Sequence, residues 1–66
     1  MMTSKIEIRP SELLRLWRER AGLTQWRAAA LLGVSQTVLC DVERGRRAPT
    51  ADFVDRAREA YRQAES

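Results

Sequence analysis

Thr24-Gln25-Trp26-Arg27-Ala28-Ala29-Ala30-Leu31-Leu32-Gly33-Val34-Ser35-Gln36-Thr37 is the stretch whose reading decides the fold. Thr24 is an N-cap candidate, because a threonine oxygen can accept from the open amides of a first helical turn. Ala28, Leu31 and Leu32 follow as the apolar positions of a helix over 25–32, and Gly33 stops it. Ser35 caps the next segment, 36–44, whose Leu39 and Val42 share an inward face, and Gly45 ends that one. Each segment is only about two or three turns long, too short to persist alone in water, so neighbouring helices must support both. Gly33 permits the turn between them, Val34 fills the space behind it, and small Ala28 and Ala29 allow close approach.

Two more helices flank this pair. Pro10 and Ser11 announce a helix over 11–21, with Ser11 as expected cap and Glu12 in the first turn, where the helix dipole favours an acid. Leu13, Leu14, Leu16, Trp17 and Ala21 recur at helical spacing before Gly22, and Trp17 reads as core. After the basic loop Arg46-Arg47-Ala48, Pro49 precedes a cap at Thr50. Phe53, Val54, Ala57, Ala60, Tyr61 and Ala64 then mark a helix over 51–64. The reading is all-α: one compact four-helix domain over 11–66, preceded by an arm over 1–10 and without a fifth helix. In the arm, Lys5-Ile6-Glu7-Ile8-Arg9 alternates as a short strand would. Three readings stand for it: disorder, a wrap around a polyanion through Lys5 and Arg9, or pairing with the same strand of a second copy.

Composition limits what such a domain can be. Sixty-six residues bury a small core, and domains of this size often rely on disulfides, a metal or a partner subunit. Cys40 is the only cysteine and there is no histidine, so an internal disulfide and the usual zinc spacings are excluded. A homodimer is the expected solution. Its expected surface is Leu13 and Leu16, beside the core stripe of their helix, with Phe53 and Tyr61. Twelve cations against nine acids give +3, and eleven of the twelve are arginine, the cation suited to phosphates and guanine edges. No stretch approaches the roughly 18 apolar residues of a membrane span, and residues 1–10 lack the apolar centre of a signal peptide, so a cytoplasmic, nucleoid-associated protein is expected. With no histidine, metal cluster, Gly-rich phosphate loop or paired carboxylates in a pocket, nothing points to an enzyme or a cofactor.

Two short helices joined by a tight Gly-containing turn are a helix-turn-helix arrangement. Three further pieces, in order, carry a more specific likeness: Gly22-Leu23-Thr24-Gln25, then Ala28 through Thr37, then Val42-Glu43-Arg44-Gly45-Arg46-Arg47-Ala48-Pro49-Thr50. From about Leu13 to Tyr61 the chain resembles the lambda-repressor-like, or Cro/XRE-type, regulators of bacteria and phages. The resemblance implies sequence-specific binding of double-stranded DNA, with the segment after Ser35 entering the major groove. Carried over to this sequence, Gln36, Thr37, Cys40 and Asp41 face bases, and Gln25, Ser35, Arg44, Arg46 and Arg47 face the phosphate backbone. Arg18 and Glu43 form an ion pair that orients the recognition helix.

Two residues depart from the family's pattern. Trp26 stands where the family often has Glu, which implies unusual packing or stacking there. Asp41 stands where an amide or basic residue is common, and an acid near phosphates is repelled unless it accepts from cytosine N4. The implied function is a transcriptional regulator, expected to be a repressor or autoregulator, the whole of a compact protein without a small-molecule effector. It would act as a homodimer on an inverted repeat. The alternative is a protein-interaction module, an antitoxin or antirepressor, on the same fold.

Overall fold

The computed structural model describes residues 8–65. Four helices follow in order: α1 (Pro10–Arg20), α2 (Gln25–Leu32), α3 (Gln36–Glu43) and α4 (Ala51–Glu65), with no strand among the described residues. The ribbon reading of the arm falls mostly on residues 1–7, which lie outside the described residues. Ile8 and Arg9 are exposed and non-helical.

Ser11 is not the cap of α1. The helix starts one residue earlier, with Pro10 in its first turn and an extended Arg9 as N-cap whose side chain makes no capping bond. Proline fixes φ near the helical value and lacks the amide that would be orphaned there, so it opens a helix without a capping side chain. Ser11 is instead buried, its hydroxyl 3.9 Å from where a side chain on Gly45 would begin.

The other starts use side-chain oxygens. Thr24 Oγ1 accepts from the Arg27 amide at 3.1 Å, Ser35 Oγ from the Val38 amide at 3.1 Å, and Thr50 Oγ1 from the Phe53 amide at 3.0 Å. At the end of α2 the Val34 amide reaches back to the Ala29 carbonyl at 3.0 Å and the Gly33 amide to Ala30 at 3.3 Å, the paired bonds of a Schellman ending. That ending needs a left-handed residue, and Gly33 supplies it at φ 72°. The chain therefore reverses within three residues and delivers Ser35 to start α3.

Leu14, Ala28, Ala29, Leu32, Leu39, Val42, Ala57 and Tyr61 make the core, one contribution or more from each helix. α1 packs on α3 and α4, and α2 on the same two. Full burial of each large apolar side chain contributes about 1.5–3 kcal/mol, which is what holds the short α2 and α3 in place. Tyr61 is 2% exposed and belongs to this core, so it cannot form the dimer surface expected of it. It sits on the inward stripe of α4 with Ala57, one turn earlier. Trp17 is only half-buried, packed over the core's edge, and Leu31 is exposed rather than inward. Ala28, Ala29 and Leu32 already fill the contact face of α2, and Leu31 lies outside that arc.

Candidate nucleic-acid interface

One buried network fixes the angle of α3. Arg18 Nε donates to Glu43 Oε2 at 2.7 Å and Arg18 Nη2 to Glu43 Oε1 at 3.0 Å, two parallel bonds between planar groups. Arg18 Nη1 donates to the Leu23 carbonyl at 2.8 Å, and Gln25 Nε2 donates to Glu43 Oε1 at 3.0 Å. Two donors, Arg18 of α1 and Gln25 at the start of α2, thus converge on the Glu43 carboxylate at the end of α3, and Arg18 also ties in the intervening loop through the Leu23 carbonyl. Hydrogen bonding to Glu43 raises the Arg18 guanidinium above its already high range, against the opposing effect of burial. Sequence reading named the Arg18 and Glu43 pair but not the part played by Gln25, eighteen residues from Glu43, for which no local pattern gives a signal.

The outward side of α3 faces a shallow hollow of about 270 Å³ lined by Gln25, Gln36, Thr37, Cys40, Asp41, Arg44 and Arg46. All four residues implied to face bases are there, with three of the five implied to face phosphates. Gln36 and Thr37 are exposed at the leading end of the helix, and Cys40 and Asp41 lie half-buried one turn further on. Ser35 is outside the hollow and uses its oxygen as the α3 cap, which leaves its O–H as a donor. Arg47 is exposed in the adjoining loop, where its amide and that of Arg46 close on the Asp41 carbonyl at 3.3 and 2.9 Å. Gln25 commits one amide hydrogen to Glu43, and an amide nitrogen carries two.

The charges are distributed unevenly. Arg20 pairs with Glu65 at 3.4 Å, Arg58 with Asp55 at 3.2 Å and Arg62 with Glu59 at 3.2 Å, while Arg56 donates to the Leu32 carbonyl at 2.7 Å. Among the described residues Arg44, Arg46 and Arg47, clustered at the end of α3, have no side-chain partner, and neither do the dispersed Arg9, Arg15 and Arg27. Acids follow the opposite rule. α1 and α4 each carry one in the first turn, Glu12 and Asp52, whereas α2 and α3 carry none. The positive dipole ends of the middle pair are uncompensated, an arrangement that suits an anionic ligand.

Trp26 neither packs in the core nor lines this hollow. It is 71% exposed on the opposite flank of α2, in an open apolar groove with Leu23, Ala30, Leu31 and Ala64.

A capped short helix, a left-handed glycine turn and a second capped helix with a polar, cationic outer edge define a helix-turn-helix DNA-binding domain. A family model described as a helix-turn-helix domain matches residues 11–66, and the chain belongs to that family. No curated protein matches the chain, and no solved structure does. Among the described residues no helix is long and apolar enough to cross a membrane.

Proposed function

We propose that the chain is a sequence-specific transcriptional regulator, a repressor or autoregulator that binds an inverted-repeat operator as a homodimer in the cytoplasm. The observation that carries this reading is the hollow over α3, where Gln36, Thr37, Cys40 and Asp41 adjoin unpaired Arg44 and Arg46. The hydrogen-bonding groups read base edges, and the cations, with Arg47, Ser35 and Gln25, hold the phosphates on either side. Blocking polymerase at the bound site is the simplest action for such a domain. With Tyr61 in the core, the dimer surface reduces to exposed Leu16 with half-buried Leu13 and Phe53. Selection of bound sites from random duplexes at fixed salt tests the reading. A consensus of two inverted half-sites about one helical turn apart is expected. Failure to enrich any sequence overturns it.

A second reading, a module that grips a protein, is favoured by one observation: exposed Trp26 and Leu31 in their apolar groove. Native mass spectrometry of the protein recovered from its host separates the two. A stoichiometric protein partner without a DNA footprint favours the second.

A further inference from the structure

We infer that Asp41 selects cytosine at one position of each half-site, so that the residue least suited to a polyanion is the one that sets part of the sequence preference. This rests on the DNA-reading role proposed above. Asp41 lies in the hollow among Gln36, Thr37, Cys40, Arg44 and Arg46, on the base-facing side of α3. Arg44 stands three residues further on, a spacing at which helical ion pairs form, and Arg46 lines the same hollow. Neither meets the Asp41 carboxylate, which has no partner among the described residues. The backbone carbonyl of Asp41, by contrast, is held by the Arg46 and Arg47 amides, so the residue is fixed in place while its side chain stays uncommitted.

An ionised carboxylate only accepts hydrogen bonds. In the major groove guanine offers two acceptors, and thymine an acceptor and a methyl group, so both repel it. Adenine offers one donor, N6, but beside it the N7 acceptor, which faces the second carboxylate oxygen. Cytosine offers the N4 donor with no acceptor beside it on that edge. Cytosine, whose own edge presents a donor and no acceptor, is therefore the base that suits Asp41 best. The same charge weakens attraction to arbitrary DNA, which lowers the background against which a correct site is found.

The test compares site selection by the wild type and by Asp41→Asn, a near-isosteric change that leaves the backbone bonds in place. The wild-type consensus is expected to hold a cytosine in each half-site. Changing it to another base should weaken binding roughly 10–100-fold. Asp41→Asn should lose that preference or shift it to adenine, whose N6 and N7 match an amide, while binding random DNA more tightly. A second measurement does not depend on the variant's folding. A duplex whose cytosine lacks the 4-amino group should bind the wild type less well and Asp41→Asn no less than the unmodified site. A consensus unchanged in Asp41→Asn, or a modified duplex bound equally by the wild type, overturns the assignment and leaves the DNA-reading role intact. No enrichment by the wild type overturns both.

Discussion

Arg18 and Glu43, twenty-five residues apart, meet through two parallel hydrogen bonds with side chains only 12% and 2% exposed. Glu43 is the last residue of α3, so this contact and the bond from Gln25 set the direction in which the helix projects its leading end. Removing either partner leaves a buried charge unmet. Arg18→Ala or Glu43→Ala is expected to destabilise the fold by about 3–5 kcal/mol, close to the whole stability of a small domain. The double change Arg18→Met with Glu43→Leu should recover most of that loss while impairing DNA binding. Urea titration read by circular dichroism checks the first claim. A double variant as unstable as either single one would show that packing, not charge, is at issue.

Tyr61 gives a pH prediction. Its hydroxyl is buried without a hydrogen-bond partner among the described residues, and burial, reinforced by the nearby Glu43 carboxylate, pushes the phenol up to about 12. An unfolded tyrosine ionises near 10, so the folded state favours the neutral form. The associated stability is complete below pH 10 and is lost as pH rises from there through the folded value of about 12, in total roughly 2–3 kcal/mol. Tyr61→Phe should abolish that alkaline loss and raise stability at neutral pH by about 1 kcal/mol, since the unmet hydroxyl is gone. Thermal melts from pH 7 to 12 measure both.

Gly33 isolates the energetics of the turn. A side chain there would meet nothing within 4 Å, yet φ is +72°. Gly33→Ala should therefore destabilise by about 1–2 kcal/mol through backbone strain alone, and Gly33→Asn by less, because asparagine tolerates the left-handed region. Equal midpoints for the two variants would argue against strain as the cause.

Gln36 and Arg46 should separate specificity from affinity. Gln36→Ala is expected to relax preference at one or two base pairs and leave the salt dependence unchanged. Arg46→Ala should weaken all sequences alike and reduce the slope of log affinity against log salt by about one. Anisotropy titrations on specific and random duplexes at several salt concentrations distinguish these patterns. Identical behaviour of the two variants on both duplexes is the outcome that contradicts the division of roles.

Much of the fold is written in local chemistry. Thr24, Ser35 and Thr50 are caps because their oxygens bond amides three residues on, and Gly33 stops α2 because its backbone must turn left-handed. Such signals span only a few residues, so a single sequence displays them. The misjudged positions depend on what lies across the core. Ser11 looks like a cap until Pro10 takes the first turn. Tyr61 and Leu16 both fall near an apolar stripe, and only the crossing of α1 and α4 decides which of them meets water. The site divides in the same way: resemblance named the outer edge of α3, whereas the tie from Gln25 to Glu43 and the exposure of Trp26 emerge from three-dimensional packing.

The missing acids at the starts of α2 and α3 have a last consequence. Glu12 and Asp52 complement the dipoles of the outer helices from within the chain. The middle pair is left to borrow its countercharge from outside. Thr24 and Ser35 cap these two starts but carry no charge, so a nucleic-acid phosphate seated there would supply the countercharge that the chain itself withholds.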